Sequence, residues 1–142
     1  MRARLDTAAL PEFAGLPERL VLAGEPRSAR TARKFAREYL LHHEPDAIDA
    51  YVVTIELVTS ELVTNAVRYG TEPGDTLALT LVSLYGRTRI EVRDPVRRRP
   101  HARPESGNRG RGRGLLILDK LCHWGVDDAA FGKTVWAEVS AP

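Results

Sequence analysis

The chain has 142 residues, 43% of them hydrophobic and 28% charged, with a formal net charge of +2. Those proportions are those of one globular domain with enough chain to bury a core, and they exclude a disordered or collagen-like chain. Cys122 is the only cysteine, which excludes an internal disulfide and a cysteine metal cluster. No apolar stretch is expected to span a membrane, and "MRARLDTAALPEF" lacks the apolar core of a signal peptide, so a cytoplasmic protein is the default expectation. From Arg87 to Arg113 there are ten arginines against Glu91, Asp94 and Glu105, whereas the segment from Glu44 to Asp75 is acidic.

Residues 1–18, with Pro11, Gly15 and Pro17 and no periodicity, read as a flexible N-terminal arm, and 19–142 as a single domain. "RLVLAG" (Arg19 to Gly24) is a short strand candidate. "EPRSARTARKFAREYLLHH" reads as a helix, with Pro26 near its first turn and Ala29, Ala32, Phe35, Ala36, Tyr39 and Leu40 along one side. Arg30, Arg33, Lys34 and Arg37 take much of the remainder, as a solvated face would.

"PDAIDAYVVTIELVTSELVTNAVRYG" carries the strongest periodicity. Asp46 is placed to cap this helix and Gly70 to end it, with Ile48, Tyr51, Val52, Ile55, Val58, Leu62, Ala66 and Tyr69 as one apolar stripe. "TLALTLVSLYG" and "RTRIEVRDP" follow as strand-like runs split around Gly86, an antiparallel hairpin pattern. Residues 95 to 109 are proline-broken and basic and read as a long functional loop. A helix starting near Gly114, a strand "HWGVDD", a turn at Phe131–Gly132 and a strand "GKTVWAEVS" complete the chain. The order implies an α/β (α+β) two-layer sandwich: a mostly antiparallel mixed sheet with helices on one face.

Glu61 and Asn65 stand four residues apart on the long helix, about 40° apart around its axis, and flank the apolar stripe. An amide oxygen suits Mg²⁺ and a carboxylate one turn away suits proton acceptance, but a surface polar pair is the simpler reading of the two residues alone. Asp94, at a strand end, could accept from an exocyclic amine, but taken alone a turn residue before Pro95 is the simpler reading. The glycines of "GNRGRGRGLLILDK" fit a phosphate cradle running into a helix N-terminus, a flexible RGG-like nucleic-acid segment or a bare linker. The cradle is favoured because the tract leads without a break into an apolar helix. A dinucleotide fingerprint is excluded by spacing. A Walker loop is excluded because Asp127 stands where its first glycine belongs.

In order, these pieces resemble the GHKL, or Bergerat-fold, ATPases, the histidine kinase-like ATPase domain superfamily. "ELVTNAVRYG" looks like the N-box, "RIEVRDP" the aspartate box, "GRGRGLLIL" the second glycine box and "GKTVWAEV" the closing strand. The short chain and the E-L-V-x-N-A form of the N-box are most similar to the anti-sigma-factor serine/threonine kinases, over roughly residues 19 to 140. The resemblance implies the Bergerat fold, ATP and Mg²⁺ as cofactors, Asn65 as the Mg²⁺ holder and Glu61 as the catalytic base. It implies Asp94 as acceptor for the adenine amine with Thr134 near the base, residues 95–109 as the lid, and Gly110, Gly112, Gly114 and Leu115 along the phosphates. The partners it implies are a sigma factor or similar regulatory protein, and a small anti-anti-sigma-type antagonist phosphorylated on serine or threonine. A homodimer is implied by resemblance as well, and no direct nucleic acid or membrane contact is expected.

The family's aspartate box usually continues D-x-G, whereas this chain has Asp94-Pro95-Val96, and Val96 cannot take glycine's positive φ without strain. A catalytically degenerate ATP-binding adaptor is therefore the second reading. A nucleic-acid binder using the arginine-rich loop is the third. A histidine kinase proper is not expected, because its phosphoacceptor hairpin has no place before the N-box, and His42–His43 lie at a helix end.

Overall fold

The computed structural model describes residues 17–95, 116–129 and 132–142. Strand β1 (Glu18–Ala23) leads into helices α1 (Ser28–His43) and α2 (Asp49–Gly70), then strands β2 (Thr76–Leu84) and β3 (Arg87–Asp94). Residues 116–121 are helical, and strands β4 (His123–Ala129) and β5 (Gly132–Ser140) finish the chain. The five strands form one sheet in the order β1-β2-β3-β5-β4, and every pairing is antiparallel. The sandwich with helices on one face is as expected. The expected, mostly antiparallel sheet is antiparallel throughout the described strands.

The β2–β3 hairpin turns on two residues, Tyr85 (φ 50°) and Gly86 (φ 76°), between the closing pair Leu84 and Arg87. Two consecutive positive φ values define a type I′ turn, whose twist matches that of the flanking strands. Strand residues alternate faces, so Leu79, Leu81, Ile90, Val92, Ala137 and Val139 project together toward the helices. Against them α2 presents Tyr51, Ile55, Val58, Leu62, Val63 and Ala66, all buried, above β3 and β5. Helix α1 lies over β1 and β2 and meets the core through Leu40 and through Ala29, Ala32 and Ala36, whose small side chains let it pack beside α2.

Two expectations for α2 fail at its start. Ile48, not Asp46, occupies the N-cap position and supplies no side-chain cap, and Ile48 is 56% exposed. The helix begins three residues after Asp46 because the chain is still turning at Pro45–Asp46, with Ala47 N–H bonded to the Glu44 carbonyl. By length and hydropathy α2 also reaches the range of a membrane span, contrary to the reading of the sequence; here its apolar stripe is the centre of the core.

The buried polar groups at the α2 N-terminal end satisfy one another. Tyr51 Oη lies 2.5 Å from Thr88 Oγ1, Thr88 lies 3.1 Å from Ser83 Oγ, and Ser83 N–H donates to Tyr39 Oη. Glu44 accepts from Ser83 Oγ and from Gly86 N–H, tying the end of α1 to the hairpin turn. On the helix-free face of the sheet, Arg89 is only 3% exposed. Its Nε reaches Glu91 at 2.7 Å, its Nη1 reaches Glu138 at 2.6 Å, and its guanidinium lies over the Trp136 ring. Burial alone would lower its pKa, but the two carboxylates outweigh burial and raise it.

Candidate functional site

Strand β3 is the middle of the sheet, and its last residue, Asp94, ends on the helix side beside the last turn of α2. Only 1% of Asp94 is exposed. A carboxylate is held there because the facing helix residue is Gly70: a Cβ at that position would collide with Asp94 Oδ2 and stand 2.6 Å from its Cγ. Gly70 does not have a positive φ, so its missing side chain serves close approach and not a left-handed cap. Gly132 closes the other side. Its φ is 146°, and a Cβ there would strike the Asp94 carbonyl oxygen.

Lys133 is the register partner of Asp94, with Nζ 3.8 Å from Oδ2, which is ion-pair range and too long for a hydrogen bond. Thr134 pairs instead with Arg93, on the opposite face. Thr134, expected near the base, is thus on the face opposite Asp94: strands alternate sides with a period of two, so Lys133 and not Thr134 shares the Asp94 face.

Asn65 and Glu61 stand on α2 one and two turns before its Gly70 end, a span of about 14 Å along the axis. Both are half-buried at the edge of the apolar stripe, as the helical arithmetic indicates. Among the described residues neither side chain makes a hydrogen bond or ion pair, so an amide oxygen and a carboxylate are available along one line of the helix. Gly110, Gly112, Gly114 and Leu115, with the expected lid over 95–109 apart from Pro95, lie outside the described residues. No group of three or more metal-ligating side chains occurs among the described residues, so a cation here would need oxygens from a ligand besides Asn65.

The groups that are described fit an adenine nucleotide with Mg²⁺. Asp94 is a buried carboxylate able to accept hydrogen bonds, Gly70 leaves its helix side without a side chain, and Asn65 offers a hard oxygen. Sequence reading missed Gly70 as a packing partner, because a glycine closing a helical pattern reads as a terminator. It missed Lys133 because face assignment depends on register. The signal for Gly70 was its place five residues past Asn65, still inside the helical run.

No match to the chain was found among curated protein sequences. Among solved structures, the mycobacterial sensor histidine kinase MprB superposes with a TM-score of 0.49 at 13% identity, covering 89% of this chain and 98% of that one. The family model for the histidine kinase-like ATPase domain matches residues 22–136, from β1 into β5 and across α2 and Asp94. The chain belongs to the histidine kinase-like ATPase domain family.

Proposed function

We propose that this protein is an ATP-binding regulator of the anti-sigma-factor type, a cytoplasmic serine/threonine kinase. It would hold a sigma factor or similar protein and phosphorylate a small antagonist. The observation that carries this reading is the sealed Asp94–Gly70 contact at the end of the helix that bears Asn65 and Glu61. Asp94 accepts a hydrogen bond from the adenine amine, in a site where water is excluded and the bond is correspondingly strong. Asn65 would hold Mg²⁺ through its amide oxygen. Glu61, half-buried and without an internal partner among the described residues, takes the proton from the acceptor hydroxyl. When bound, Mg²⁺-ATP supplies the phosphoryl group and the charge neutralisation on which such transfers depend. Gly110, Gly112, Gly114 and Leu115 keep the phosphate-lining role that the resemblance gives them.

The second reading, an ATP-binding adaptor without kinase activity, is favoured by Asp94-Pro95-Val96 in place of D-x-G. Calorimetric titration of Mg²⁺-ATP into wild type, Asn65→Ala and Asp94→Asn tests the shared part. Micromolar binding lost in both variants supports the site, and no binding by wild type sinks both readings. Phosphate transfer to protein serine, abolished by Glu61→Gln while ATP binding persists, separates the kinase from the adaptor.

A further inference from the structure

Arg30, Arg33, Lys34 and Arg37 follow i, i+3, i+4, i+7 spacing and so form one row along α1. Two of them are tied to the neighbouring helix: Arg33 Nη1 donates to Ser60 Oγ at 3.0 Å, and Arg37 Nη1 reaches Glu56 Oε2 at 3.3 Å. The row therefore runs beside the outward side of α2. That side is not polar throughout, because Val53 is 57% and Leu57 39% exposed. Single exposed apolar residues are ordinary, but these two stand at i, i+4, and the same line continues through Glu61 and Asn65. A positive row, an apolar ridge and the Glu61 carboxylate are thus contiguous across two helices.

We propose that the Val53–Leu57 ridge and the α1 cation row form the docking surface for the protein that carries the phosphoacceptor hydroxyl. The partner presents an apolar side chain flanked by carboxylates beside its serine or threonine. Charge complementarity chooses that occupant: Arg37 is paired with Glu56 and Arg33 with Ser60, while Arg30 and Lys34, exposed and without an ion pair among the described residues, are left to meet a partner's carboxylates. The inference rests on the kinase reading above, in which Glu61 must meet the acceptor hydroxyl.

The test is a serine-centred degenerate peptide library phosphorylated with labelled ATP, comparing wild type with Val53→Asp/Leu57→Asp and Arg30→Glu/Lys34→Glu. These are surface substitutions away from the nucleotide groups, and both variants should keep wild-type ATP binding by calorimetry. Wild type should favour Leu or Val together with Asp or Glu near the serine by about tenfold over lysine. The aspartate pair should lose the apolar preference, and the glutamate pair should turn the acidic preference toward lysine. Transfer without residue preference, or preferences unchanged in both variants, overturns the docking surface while leaving the kinase intact. ATP binding with no transfer to any serine overturns the kinase reading and the surface with it. A wild-type dimer that dissociates in the aspartate pair on ultracentrifugation gives the ridge to a second copy and overturns the proposal.

Discussion

Replacing Gly70 with alanine sets two effects against each other, and their sum is measurable. Within a helix the exchange is normally favourable by about 1 kcal/mol, since glycine is the poorer helix former. Here the added methyl would lie 2.6 Å from Asp94 Cγ and 3.1 Å from Asp94 Cβ. Asp94 has little room to retreat, because it is 99% buried at the end of the central strand with Gly132 packed on its carbonyl. Overpacking of this kind costs about 1–3 kcal/mol. The net expectation is a loss of about 1 kcal/mol, a fall in Tm of about 3–5 °C for a domain of this size. ATP affinity should drop at least about tenfold, because the carboxylate must move or turn off its rotamer. Gly74→Ala is the matched control: its φ of 93° strains any side chain, yet nothing lies within 4 Å. It should lose about 1 kcal/mol of stability and keep wild-type ATP binding. A Gly70→Ala protein with a raised Tm and unchanged ATP affinity would falsify the account of the Asp94 site.

Arg89→Met leaves Glu91 and Glu138 facing each other without their shared cation, and should lower stability by about 2–4 kcal/mol in urea denaturation; a change within 0.5 kcal/mol would make the cluster a surface ornament. Burial pushes the pKa of the Tyr51 hydroxyl up to about 12, well above the ordinary phenol value. The unfolded chain therefore releases this proton first, and stability conferred below pH 10 is lost between about pH 10 and 12. Tyr51→Phe should flatten that part of the stability profile, and an unaltered slope would count against it. Cys122, whose thiol pKa is pushed by burial and then by Asp119 to about 11, should be alkylated by iodoacetamide at pH 8 about 100-fold more slowly than an exposed thiol of ordinary pKa. Alkylation at the free rate would contradict the burial of its sulfur beside the Leu118 carbonyl.

Local patterns carried the elements. The stripe from Tyr51 to Ala66 made α2 readable, and glycine at 86 made the hairpin readable, although Tyr85 at positive φ was not signalled by its residue type. What depended on two distant segments meeting was not readable. Ile48 belongs to the stripe by angle, yet the helix starts at Asp49 and leaves it in solvent. Gly70 gains its meaning only when the end of β3 arrives beside it, and Thr134 and Lys133 exchange places on a single step of register. Arg89 sits in the run R-T-R-I-E-V-R, which reads only as strand-like. Its burial comes from Trp136 and Glu138, nearly fifty residues later. For Asn65 and Glu61, spacing alone favours a surface polar pair, and the reading as a site comes only from the order of the surrounding boxes.

The strand order has a bearing on how the molecule opens. β3 is hydrogen-bonded on both sides, by β2 and β5, whereas β1 and β4 are the edges. Partial openings of a sheet begin at its edges, and a doubly paired central strand exchanges its amide protons only in the largest excursions. Asp94 is thus carried at the end of the strand that, among those described, should open least. A recognition group mounted this way keeps its aim through local melting that would scatter one carried on a loop.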